Sequence, residues 1–288
     1  MFEGFHLEMV DIGDVTIRLR SGGAGPPLLL LHGHPQTHVM WHKIAPDLAR
    51  DFTVVAPDLR GYGGSSKPAP APGHETYSKR AMAKDQIAVM RTLGFTRFFV
   101  AGHDRGARCA YRMALDHPQQ VEKLAVLDII PTGEALRRTD MRFALEYWHW
   151  FFMAQPYDLP ERLIGADPEW YFNNRGKGQL PFDAEARADY LAAYLDPQTR
   201  HAMCEDYRAG VTVDFELDEA DRSAGRRLHC PLLALWAGRG NLGSWYDVLA
   251  VWREWANDVS GCAIDSGHYL AEEAPSETYA QLKRFFSS

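Results

Sequence analysis

The sequence has no apolar run near the roughly 20 residues that a membrane-spanning helix needs. It has no block of like charge: 31 Lys and Arg stand against 38 Asp and Glu, and the net charge of −7 is spread along the chain. These absences argue against a membrane or a nucleic acid as partner. They leave a small anionic substrate open, since such a site needs only one or two local cations. Met1 to Val10 lacks the basic-then-apolar pattern of a secretion signal, so the cytoplasm is the expected compartment. Only four cysteines occur, Cys109, Cys204, Cys230 and Cys262, and no pair has CxxC or metal-ligand spacing. They are expected to be buried, reduced thiols, with no metal and no cofactor implied. There is no internal repeat, low-complexity tract or long linker, and Pro68-Ala-Pro-Ala-Pro72 is at most a short surface loop.

What is present is an ordinary globular composition, 46% hydrophobic and 24% charged, in 288 residues. That suits one domain or a domain with an insertion. Compact apolar runs at Leu28–Leu31, Phe52–Ala56, Phe98–Ala101 and Leu124–Leu127 have the length of strands buried on both faces. Helix-like stretches lie between them, notably Lys79–Leu93 and Ala107–Asp116. After position 230 the alternation resumes, with strands at Leu232–Ala237 and Cys262–Ile264 and helices at Val248–Trp255 and Glu277–Phe286. Alternating strand and helix predicts an α/β fold, a mostly parallel sheet flanked by crossover helices. From Gly133 to Asp214 no buried strand is legible, and aromatics dominate: Tyr147 to Phe152, Trp170-Tyr171-Phe172, Tyr190, Tyr194 and Tyr207. This predicts a helical cap at 133–214, inserted after strand 6 into a core made of 1–132 and 215–288. Most of its aromatics are expected to form the cap's own core.

Gly102-His103-Asp104-Arg105-Gly106 follows an apolar strand and opens a helix. This is the setting of a nucleophile elbow, with Asp where such turns often carry Ser. The helix N-terminus favours a carboxylate there. An Asp that merely caps the helix is the competing reading.

A carboxylate nucleophile forms an ester that water must break, which needs a base and a group to orient it. His268, in Ser266-Gly267-His268-Tyr269, follows the last expected strand and has the right order. For the orienting acid there are two candidates, Asp128 at the end of the strand Leu124–Leu127 and Asp247, of which Asp128 is preferred. Asp58 is expected to fix a loop. His34, after the strand Leu28–Leu31, is expected to lend a backbone N–H to an oxyanion hole, with a second from Arg105.

These residues carry a family resemblance. From Leu31-His-Gly-His-Pro-Gln36 to Gly267-His268, the chain resembles the fluoroacetate (haloacetate) dehalogenases of the α/β-hydrolase superfamily. The likeness extends through Gly102-His-Asp-Arg-Gly-Ala-Arg108, Met113-Ala-Leu-Asp116 and Leu127-Asp-Ile-Ile-Pro-Thr132. In the cap it covers Tyr147-Trp-His-Trp150, Gln155-Pro156 and Cys204-Glu-Asp-Tyr-Arg-Ala209. The resemblance implies that Asp104 displaces halide from a small haloacid substrate and that His268, oriented by Asp128, directs water to the ester. It implies that Arg105 and Arg108 clamp the substrate carboxylate, and that His149, Trp150 and Tyr207 hold the leaving halide. It also implies a homodimer. Two departures bear on substrate size and halogen preference. His34 stands where the family usually has Phe, and the segment 173–179 is short and lacks a tryptophan often found there.

Two other functions share these features. An epoxide hydrolase has the same nucleophile and His–acid pair, but usually has Trp after the nucleophile and two cap tyrosines. Here that neighbour is Arg105, and Tyr207 is the evident tyrosine. A non-catalytic protein binding a small carboxylate would not need the Asp104–His268–Asp128 set.

Overall fold

The computed structural model describes residues 1–174 and 180–288. Its centre is an eight-stranded sheet: β1 (Phe5–Asp11), β2 (Thr16–Gly22), β3 (Pro27–Leu31), β4 (Thr53–Pro57), β5 (Phe98–His103), β6 (Val121–Leu127), β7 (Leu232–Ala237) and β8 (Val259–Ile264). The strand order is β1-β2-β4-β3-β5-β6-β7-β8. Pairing is parallel from β4 through β8 and antiparallel where β2 meets β1 and β4.

The strands read from apolar runs are the sheet's interior. Leu28 to Leu31 are fully buried, each side chain contributing about 2 kcal/mol of apolar transfer. β1 and β2 were not legible as such runs. β1 is an edge strand with mostly exposed side chains, and β2 alternates buried with half-buried positions, so neither forms a continuous apolar stretch. β8 begins three residues before the expected Cys262, in a half-exposed segment.

Between β6 and β7 every described element is helical: Thr132–Arg137, Met141–Glu146, Trp148–Met153, Leu159–Ala166, Pro168–Asn174, Ala184–Leu195, Pro197–Val211 and Val213–Ser223. Of the short segment 173–179, residues 175–179 lie outside the described residues. Phe172, Tyr190 and Tyr194 are fully buried within the hydrophobic core, whereas Trp148 and Trp170 are exposed. Cys109 and Cys204 are buried, but Cys230, just before β7, and Cys262, on the edge strand β8, are only half-buried. Among the described residues no helix is long and apolar enough to cross a membrane, and no group of three or more His, Cys, Asp or Glu is placed to hold a metal ion.

Candidate active site

The turn between β5 and the helix Arg105–Asp116 is set by two glycines. A Cβ on Gly102 would lie 2.6 Å from the Ala107 nitrogen, and one on Gly106 would lie 2.3 Å from the His32 carbonyl oxygen. Their absence lets the helix start hard against the sheet. Asp104, between them, takes φ +46° and ψ −116°, and its side chain makes no capping bond to the helix. A non-glycine residue in that region is strained, which is the signature of an imposed role and not of a cap.

The Asp104 carboxylate faces a cavity of about 220 Å³. Its Oδ1 accepts the His34 N–H at 3.0 Å, and its Oδ2 accepts no hydrogen bond from any described residue. The Arg105 N–H, expected as a second donor, makes no bond to this carboxylate. Burial alone would raise the carboxyl pKa. His268, His103 and the guanidiniums of Arg105 and Arg108 outweigh it and hold the group well below the usual carboxylate range.

His268 lies in the loop after β8 and lines the same cavity. Its Nδ1–H donates to Asp128 Oδ2 at 2.6 Å, while Asp128 Oδ1 accepts the Ala237 N–H at 2.9 Å. Asp128 ends β6 at φ +56°. Asp247 caps the helix Val248–Trp255 through the Ala250 N–H and takes no part. The carboxylate that meets His268 therefore comes from the end of β6, two strands away from β8. Asp58 is a loop anchor: it is fully buried and receives the His38 N–H at 2.8 Å and the His38 ring at 2.7 Å.

The cap supplies the opposite wall. His149, Trp150 and Tyr207 all line the cavity. The rings of His149 and Trp150 lie 6.0 and 6.4 Å from that of Tyr207. The His34 ring is buried and packs edge-on against Tyr207 at 5.4 Å.

The two arginines are arranged differently from the expected pair. Arg105 is ion-paired: its Nε and Nη2 reach Asp206 Oδ2 and Oδ1 at 3.0 and 2.6 Å. Its guanidinium lies 4.3 Å from the Tyr207 ring centroid. Arg108 has no carboxylate within ion-pair distance among the described residues. It bonds the Ile130 carbonyl and the Thr132 hydroxyl and lies 4.5 Å from the Trp150 ring centroid. Burial first, then repulsion from Arg105, lowers its pKa. Neither guanidinium is part of the cavity lining. Asp206 thus compensates one charge, and Arg108 keeps the other.

Several residues escaped the sequence reading. Tyr147, Glu146, Leu180, Asn241 and Tyr269 also line the cavity. His103 is fully buried, and its Nε2–H donates to the His268 carbonyl at 2.7 Å. Burial and the neighbouring His268 lower its pKa to about 4, so it stays neutral and props the loop. It sat in the elbow motif, but nothing in sequence ties it to a residue 165 positions away.

A strained acid on a glycine elbow, a His–Asp pair from the ends of β8 and β6 and a helical cap define a hydrolase of the α/β type. The model for the alpha/beta hydrolase fold matches residues 26–275. A fluoroacetate dehalogenase from Burkholderia sp is 48% identical over 100% of this chain and 95% of its own length. A soluble epoxide hydrolase from Corynebacterium sp. (strain C12) is 33% identical over 93% of this chain and 92% of its own. The crystal structure of a candidate α/β hydrolase from Nostoc sp PCC 7120 is 54% identical with a TM-score of 0.97, covering 100% of this chain and 99% of that one. The chain belongs to the α/β-hydrolase fold family and, within it, to the family of the fluoroacetate dehalogenases.

Proposed function

We propose that this hydrolase is a haloacetate dehalogenase, converting fluoroacetate or chloroacetate to glycolate and halide. The observation that carries the reading is Arg108, a buried cation close to the nucleophile with no carboxylate partner among the described residues. Only the Asp104 carboxylate offsets this charge, without bonding it, and an incompletely paired buried charge is costly. A substrate that brings its own carboxylate removes that cost, and a neutral substrate does not. The cavity, at about 220 Å³, is below the roughly 300–1,000 Å³ of pockets for drug-sized ligands, which suits a two-carbon acid.

In this reading Asp104 Oδ2 attacks the carbon bearing the halogen, forming a C–O bond as the C–halogen bond breaks and its electron pair leaves with the halide. His149, Trp150 and Tyr207 donate N–H and O–H bonds as charge develops on the leaving atom. The product is an ester on Asp104. His268 removes a proton from water, which attacks the ester's carbonyl carbon while the His34 N–H steadies the oxygen. Asp128 stabilises the imidazolium. Cleavage releases glycolate and restores the Asp104 carboxylate.

Replacing His268 with Asn stops the second step. Mixed with chloroacetate, the variant is expected to release one halide per site and to gain the mass of a carboxymethyl group on the peptide containing Asp104. Absence of both adduct and halide with every haloacetate would sink the proposal.

One observation favours a second reading. Tyr147 and Tyr207 both line the cavity, and a pair of cap tyrosines is what an epoxide hydrolase uses to protonate its substrate. Turnover of a small neutral epoxide faster than of any haloacetate decides for that alternative.

A further inference from the structure

The two ends of the cavity come from different parts of the chain. Asp104 and Arg105 are sequence neighbours at the core's elbow. Asp206 and Tyr207 are neighbours on the cap helix Pro197–Val211. The pairs are crossed: Arg105 bonds Asp206 and lies over the ring of Tyr207. Asp206 is fully buried and collects more than this one arginine. Tyr62 donates to Oδ2 at 2.7 Å, Lys79 donates to Oδ1, and the Arg105 Nη2 also reaches the Asp206 backbone carbonyl at 2.6 Å. Three core side chains thus converge on one cap carboxylate directly beside the site.

We infer that Asp206 is a positioning residue that registers the cap against the core, fixing the Arg105 guanidinium and the Tyr207 hydroxyl relative to Asp104. A buried ion pair is a poor source of stability compared with apolar packing, and its best-attested use is to specify register. Here the register has a chemical consequence. In the dehalogenase reading Arg105 acts on the substrate's carboxylate and Tyr207 on its leaving group, and Asp206, bonded to the one and next in sequence to the other, positions both. Arg105 and Lys79 outweigh burial and keep Asp206 ionised far below the usual range, so the lock holds at every working pH. Asp206 touches no cavity surface itself and acts only through its partners.

The inference rests on the dehalogenase reading for its kinetic test, and a binding test separates the two. Three variants are compared with the wild type: Asp206→Asn, Tyr62→Phe and Asp221→Asn. Asp221 is a buried carboxylate joining Arg112 to Arg226, outside the cavity wall, and controls for loss of a buried ion pair. Misplacement of positioning groups is expected to raise KM for chloroacetate about tenfold in Asp206→Asn and to lower the fluoroacetate-to-chloroacetate kcat ratio about tenfold. Tyr62→Phe moves both in the same direction by less. Asp221→Asn lowers Tm but leaves KM and the ratio within about twofold of wild type. The inference is overturned if Asp206→Asn leaves both quantities within that range, or if Asp221→Asn moves them as far. Should Asp206→Asn fail to fold, an unchanged KM and ratio in Tyr62→Phe overturns it. If the wild type releases no halide at all, the dehalogenase reading fails and acetate affinity by calorimetry decides. Affinity lost in Asp206→Asn but kept in Asp221→Asn supports the positioning role; equal affinities, or no acetate binding by the wild type, overturn it.

Discussion

Asp104 departs from ordinary backbone preference, at φ +46°, and its carboxylate is held ionised against burial by the neighbouring histidines and arginines. The direction of that shift has a kinetic consequence. Ester formation needs the carboxylate, so single-turnover halide release by the wild type is expected to stay flat as pH falls from about 8 to about 5, near the ordinary carboxylate range. A drop tracking an ordinary or raised carboxyl pKa would show that His268 and the arginines do not control it. Tyr207 separates leaving-group chemistry from packing. Fluoride needs hydrogen-bond donors more than chloride does, so Tyr207→Phe should cut defluorination about tenfold more than dechlorination, in line with losing one oriented donor. Equal losses would assign the ring to packing. At this scale the sequence was most legible where chemistry is local. The pentapeptide around Asp104 and the His268 loop announce themselves by flanking glycines and strand ends. His103 and Asp206 did not, because their partners are 165 and 101 positions away.

The helix Leu270–Glu273 follows the His268 loop closely and carries a second buried acid. Glu272 accepts the Tyr190 hydroxyl at 2.5 Å, from the helix Ala184–Leu195, and the Gln36 amide at 2.7 Å. Burial pushes its carboxyl up to about 7, against the opposing hydrogen bonds, while an unfolded Glu titrates near 4.3. The folded protein therefore holds a proton that the unfolded chain has lost between those values. The associated stability is complete below the unfolded pKa and is lost as pH rises through about 7, amounting to up to about 3 kcal/mol. Glu272→Gln keeps the shape and the acceptor without the charge. It is expected to melt on the order of 5 °C above wild type at pH 8, with the gap closing toward pH 5. A gap independent of pH would show that Glu272 does not titrate in this window. Elements followed a similar rule of legibility. The fully buried strands β3, β5, β6 and β7 were evident as apolar runs. The half-exposed β1 and β2 were not, since their burial is decided by a neighbour on one face only.

Across the whole molecule, cap and core are joined by charge as well as by apolar packing. Lys79 and Arg105 find their Asp206 carboxylate on the helix Pro197–Val211, and Arg18 reaches Asp189 on Ala184–Leu195. Lifting those helices alone would strand the cations, and breaking one buried pair costs about 3–5 kcal/mol. Cap and core are therefore expected to unfold together, with far-ultraviolet and near-ultraviolet circular dichroism giving one coincident thermal transition. An earlier near-ultraviolet transition, reporting the cap's many aromatics, would show independent melting. The sequence by itself determined the α/β alternation, the helical insertion after β6, the elbow at Asp104 and the order of Asp104, Asp128 and His268 along the chain. Each of these is written in local periodicity or turn chemistry. Only the tertiary structure decided that Asp128 and not Asp247 meets His268, and that Arg105 is neutralised while Arg108 is not. Those outcomes depend on distances between segments far apart in the chain. Burial magnifies charge, and so a few ångströms fix which group is paired and which is not.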